Sequence, residues 1–136
     1  MKENTKEGQM ATKTIELRKV VTKLLKEVNK QVYYESATDE ATFPYIVYNF
    51  DTVNLNNYPR DDIFLTIDVW DQGDTSTIVE TLADNIEEAL NMENKPSDKV
   101  LPTFYLEDRR SISDEDETIR RRQLKFTIQN YYIGGR

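Results

Sequence analysis

The sequence predicts an α+β fold, with two helices packed on one face of a mixed, largely antiparallel sheet. Three observations carry that prediction. Apolar residues recur at helical spacing in residues 12–30 and again in 76–91. Between these segments, residues 46–51 and 63–70 alternate with the period of two that marks strands. After the second helix, two further alternating runs flank an acidic tip, as in a long hairpin.

Residues 1–11 are polar and aperiodic and are expected to form a disordered N-terminal arm, with residues 12–136 making one α+β domain. The first helix is predicted over 12–30. Leu17, Val21, Leu24 and Val28 form its stripe, widened by Leu25. Lys19, Lys23, Lys26 and Lys30 occupy the polar face, and Thr12 or Thr14 is placed to cap the start.

Val32, Tyr33 and Tyr34 read as a short edge strand, followed by a polar loop over 35–42. Pro44 opens the next strand, where a missing N–H is tolerated. Ile46, Tyr48 and Phe50 share one face of it. Residues 54–60, with Tyr58 and Pro59, read as a turn-rich connection. In the following strand Ile63, Leu65, Ile67 and Val69 should face the helices, leaving Phe64, Thr66, Asp68 and Trp70 on the half-exposed side.

Thr77 followed by Glu80 reads as a capping box, with Asp74 or Thr75 as alternative caps. The second helix is expected to bury Ile78, Leu82, Ile86 and Ala89, its stripe thickened by Val79, Ala83 and Leu90. Residues 91–97 read as a loop in which Pro96 stops the helix. In the hairpin, matching of polarity and charge puts Phe104 opposite Phe126, Leu106 opposite Leu124 and Asp108 opposite Arg122. It also opposes Arg110 and Arg120. Asp114, Glu115 and Asp116 form the tip.

Composition narrows the chemistry. Cys and His are both absent, which removes disulfides, thiolate or histidine zinc sites, and nucleophile–His catalysis. No apolar run approaches the roughly 20 residues a membrane helix needs. The net charge of -7 is uneven: residues 1–30 carry +4, 31–98 carry -13 and 99–136 carry +2. An acidic middle argues against general nucleic-acid binding, which needs a basic face. It suits copies that pack basic surface to acidic surface.

Asp61, Asp62, Asp68, Asp71 and Asp74 cluster in sequence, as a metal-dependent enzyme would require. No Lys or Arg accompanies them between Asp61 and Asp84, and they sit at strand ends and a helix cap, so structural work is the favoured reading. Neither a calcium loop nor a Gly-rich phosphate loop occurs. Arg120, Arg121 and Arg122, with Arg109 and Arg110, are expected to pair with Glu107, Asp108 and residues 115–117 in the same hairpin. Strand alternation would send Arg121 to the opposite face from its neighbours. Several of the eight Tyr, with Trp70, lie near element ends, where half-wet aromatic groups serve interfaces or the rim of a core.

Taken together, Ile15-Glu16-Leu17-Arg18-Lys19, Val32-Tyr33-Tyr34, Phe43-Pro44-Tyr45-Ile46-Val47-Tyr48, Leu65-Thr66-Ile67-Asp68-Val69-Trp70-Asp71 and the helix over 76–90 resemble the tail-completion, or tail-terminator, proteins of long-tailed bacteriophages and related prophage elements. The resemblance covers residues 12–132. It implies a structural virion protein of the tail and neck, assembled in the host cytoplasm, with no catalytic residue, cofactor or metal. It further implies a homo-oligomeric ring, commonly hexameric, that caps the tail tube and meets the tail tube protein and a head-tail connector or stopper. DNA would pass through without specific binding.

On that reading Lys19, Lys23, Lys26, Lys30, Tyr45, Tyr58 and Trp70 are candidates for the subunit interface. Asp114, Glu115 and Asp116 are candidates for a channel-facing or partner-facing loop. The alternatives are another neck component, such as a head-closure or stopper protein, and a small metal-dependent enzyme.

Overall fold

The computed structural model describes the backbone of residues 2–57 and 60–133, and the side chains of residues 14–51 and 60–133. The elements run α1 (Lys2–Val28), β1 (Val32–Tyr34), β2 (Tyr45–Asn57), β3 (Arg60–Gln72), α2 (Thr77–Leu90), β4 (Val100–Ser111) and β5 (Ile119–Tyr132). The strands form one sheet in the order β1-β2-β3-β5-β4. Only the β1–β2 pair is parallel. This is the α+β arrangement that the periodicity predicts.

Both helices lie on one face. Leu17, Val21 and Leu25 of α1 share a buried cluster with Val79, Ala83, Ile86 and Leu90 of α2. The sheet contributes Ile46 and Tyr48 from β2, Ile63, Leu65, Ile67 and Val69 from β3, Phe104 from β4, and Leu124, Phe126 and Ile128 from β5. The Tyr48 hydroxyl reaches across the layers, 2.6 Å from Thr22 Oγ1 and donating to the Arg18 carbonyl at 3.1 Å.

Several expectations are corrected. The side chains of residues 1–13, where the arm was expected, lie outside the described residues. Strand β2 continues through residues 54–57, which were expected to be loop, and the strand tips close with Asn57 opposite Arg60. Tyr58 and Pro59 lie outside the described residues.

On α2 the apolar stripe is rotated from the expected one: Val79, Ala83, Ile86 and Leu90 are buried, Leu82 and Ala89 are half-buried, and Ile78 is 47% exposed. Ser76, not Thr77, is the N-cap, and it makes no side-chain cap bond. Glu80 is therefore free of capping work and turns to the sheet. Residues 91–97 do not form a detached loop. They run beside β4, with Met92 N–H donating to the Phe104 carbonyl and Lys95 N–H to the Pro102 carbonyl.

The β4–β5 hairpin is two residues out of the expected register before a bulge and three beyond it, where Asp108 faces Lys125 and not Arg122. Phe104 faces Ile128 and Leu106 faces Phe126. Phe104 and Phe126 are diagonal neighbours whose rings meet edge to face at 6.4 Å. A bulge between Leu106 and Asp108 then switches the alternation. Arg109 comes onto the helix face, and Arg110 lies opposite Gln123 instead of Arg120.

Candidate functional site

Among the described residues no helix covers the other side of the sheet, which leaves one face open. One corner of that face carries an aromatic ladder built by register. Tyr45 on β2 stands opposite Trp70 on β3, which stands opposite Arg121 on β5. The Tyr45 and Trp70 rings stack at 6.2 Å, and the Arg121 guanidinium lies over Trp70 at 4.5 Å. Phe43 stacks on Tyr45 at 5.3 Å, and Tyr33 meets it edge-on at 6.2 Å. Burial pushes the Tyr45 hydroxyl pKa up, partly offset by the Arg121 charge. Arg121 also donates to Asp68 at 3.0 Å, as does Gln123 at 3.1 Å, so the Asp68 carboxylate is neutralised where it is nearly buried. Asp51 accepts from the Thr66 hydroxyl beside it.

Large apolar surface nonetheless remains on the open face. Phe43, Phe64 and Tyr131 are exposed by 39%, 43% and 41%. Aromatic surface set among satisfied polar groups is the composition of a protein interface. Tyr45 and Trp70 are two of the residues that the sequence offered as interface candidates. Tyr33 was among the tyrosines near element ends weighed for interface use, Phe64 was placed on the half-exposed side by alternation, and Phe43 was not singled out for an interface.

The lysines belong to the other layer. Lys19, Lys23, Lys26 and Lys30 are all exposed on the solvent side of α1 or at its end. Lys19 pairs with Glu16 at 3.2 Å, and the other three have no ion-pair partner among the described residues. The lysines and the Tyr45–Trp70 ladder are thus two separate surfaces. Tyr58 lies outside the described residues.

Arg110 pairs with Asp108 at 2.6 Å as expected, while Arg109, Arg121 and Arg122 contact acids other than those expected and Arg120 contacts backbone carbonyls. Arg109 reaches Asp84 at 2.8 Å, Glu87 at 3.0 Å and Glu80 at 3.2 Å, all on α2. Burial works against its charge, but the hydrogen bonds to Asp84 and Glu87 outweigh that and hold its pKa above the ordinary arginine value. Arg122 pairs with Glu80 as well. Arg120 donates to the carbonyls of Gly73 and Asp74, 3.2 and 3.0 Å away. Of Arg120, Arg121 and Arg122, Arg121 takes the open face, as alternation requires.

These contacts bind the far end of the hairpin to α2 and so aim its tip. At the tip, Asp114 accepts from the Asp116 N–H, and Asp116 accepts from the Thr118 N–H and hydroxyl. The Thr118 bonds hold the Asp116 carboxyl below the usual range. Two of the three tip acids therefore shape the turn, while all three stay exposed.

The acids of β3 are dispersed. Asp61 accepts from the Tyr132 hydroxyl at 2.6 Å, Asp62 from Arg60 at 3.2 Å and Asp68 from Arg121. Among the described residues no group of three or more Asp, Glu, His or Cys could hold a metal ion. No helix among them is long and apolar enough to cross a membrane.

The family model of tail completion protein gp17 matches residues 17–129. Among solved structures, a chain from the virion of a native gene transfer agent particle is similar in fold, with a TM-score of 0.58 at 12% identity, covering 79% of this chain and 84% of that one. No curated protein is similar enough to count as a match.

Proposed function

The chain belongs to the tail completion protein gp17 family, and on that premise we propose that it caps the tail tube, ends tube growth and joins the tail to the head connector as a ring. Membership makes it a structural component of the phage tail, and the ring, the cap and the joint are our reading. The observation that supports the reading is the family match from the second half of α1 through β1, β2, β3, α2 and β4 and into most of β5.

The surfaces support it. A capping ring needs one surface for its neighbour and others for tube and connector. The basic face of α1, the aromatic open face of the sheet and the braced acidic hairpin tip are three chemically distinct surfaces on one small chain. Free protein is monomeric or weakly associating on this account, and the finished tube end acts as template. Exposed Lys–carboxylate pairs contribute only about 0.2–1 kcal/mol each, so charge sets register and rate while aromatic contacts hold the ring. An acidic channel would repel phosphate and let DNA pass.

The test is the mass of the purified protein in solution and electron microscopy of the protein mixed with tube ends. Rings confined to tube ends support the reading. Particles that never form rings, or that bind connector without tube, point to another neck component.

A further inference from the structure

Two edges of the sheet lack a partner among the described residues, and they sit at opposite corners. β1 pairs with β2 only at Ile46, Val47 and Tyr48, so residues 49–57 of β2 have β3 on one side and no strand on the other. At the far edge, residues 91–97 cover β4 as far as Leu106, the last bond running from the Leu106 N–H to the Asn91 side chain at 2.8 Å. The bulge follows at once, and residues 108–111 beyond it pair with β5 alone. β2 is antiparallel to β3, β3 to β5 and β5 to β4, so β2 and β4 run in opposite directions. The bare half of β4 is level with Ile46 to Asn49, and the bare half of β2 beyond Asn49 is level with Leu106 to Leu101.

Sheet edges that face water are normally guarded by charge or proline, because unpaired N–H and C=O groups recruit strands. The one charge on residues 49–57, Asp51, accepts from Asn49 and from Thr66 of β3, and residues 52–57 read Thr-Val-Asn-Leu-Asn-Asn, uncharged in a chain that is 32% charged. The bare half of β4 carries Asp108 and Arg110, whose charges close on each other at 2.6 Å and leave that pair neutral toward an incoming strand.

We propose that the open edge of β2 receives the bare half of β4 from a second copy of this chain as an antiparallel strand, joining neighbouring sheets head to tail. Two different edges meet, so the contact is heterologous and closes into a ring when the rotation per copy divides a full turn. The offset between the bare halves tilts the strands against the ring axis, as closed sheets require. The inference rests on the ring reading above and supplies its subunit contact.

The absence of cysteine makes the test clean. Chains carrying Asn54→Cys or Asn56→Cys together with Asp108→Cys or Arg110→Cys are oxidised after assembly on tube ends, with folding checked by thermal melting. Within one copy β3 and β5 separate the two sites by about 14 Å, at roughly 4.8 Å per strand. That is beyond the reach of a disulfide, so any bridge joins two copies. The expected result is a covalent ladder from at least one double variant, ending at the ring number, and none from the single variants. Rings seen by microscopy with no ladder from any pair overturn the edge contact and leave the ring reading standing. A dimer from Asn54→Cys alone overturns it in favour of two-fold β2–β2 pairing. A ladder without closed rings supports the edge contact and contradicts the ring.

Discussion

Arg109 on β4 and Asp84 on α2 face each other at 2.8 Å, a contact that exists only because the bulge after Leu106 turns Arg109 toward the helices. Glu80 and Glu87 crowd the same guanidinium. Replacing Arg109 with Ala leaves three carboxylates near one another, with only Arg122 beside Glu80. Urea melts should show a loss of about 1 kcal/mol, because the acids are partly exposed. The loss should shrink in high salt as screening grows. An effect independent of salt would mean that Arg109 contributes through packing alone.

Leu65 is fully buried in the middle of β3, opposite Phe126. Leu65→Asp places an unpaired carboxylate among Ile, Leu and Phe side chains and should cost about 3 kcal/mol or more. Denaturant melts check this, and unchanged stability would show the facing of β3 to be wrong.

Tyr132 gives a pH dependence. Burial, then the hydrogen bond and charge of Asp61, push its pKa above the ordinary 10.0. A raised folded pKa favours the neutral phenol in the folded state. Its contribution is complete below pH 10 and is lost as pH rises above that value. Stability should therefore fall in alkali, and Tyr132→Phe should flatten part of the fall. Tyr45 and Tyr48, also shifted up by burial, account for further slope. An identical alkaline slope in Tyr132→Phe would contradict the assignment.

Lys23 and Lys26 are exposed and make no ion pair among the described residues. Reversing both to Glu should leave melting within about 0.5 kcal/mol of the parent. Tail termination should slow, giving overlong tubes or tails unjoined to heads. Normal tails from the double variant would remove charge from the assembly account.

Alternation made the facing of the strands legible: Ile63, Leu65, Ile67 and Val69 are buried, and Arg121 stands apart from Arg120 and Arg122. It could not give the hairpin register, because a shift of two residues keeps every side chain on its face. Phe104 opposite Phe126 and Phe104 opposite Ile128 look equally apolar. The bulge at Glu107 carries no sequence mark, so the contacts of Arg109 with α2 were hidden. On α2, apolar residues occupy more than one face, which let Ile78 pass for core until the tertiary contacts selected Val79, Ala83, Ile86 and Leu90. The aromatic ladder was half legible: Tyr45 and Trp70 stood out by type, but their stacking depends on cross-strand register.

The central claim is that this chain ends tail growth as a ring. The most direct measurement is the length distribution of tails, by electron microscopy, from phage that lack this chain and from the same phage with it restored. The account predicts tubes of uncontrolled length without heads when it is missing, and tubes of one length carrying a terminal ring joined to a head when it is restored. Tails of normal length without it, joined to heads as usual, would contradict the claim.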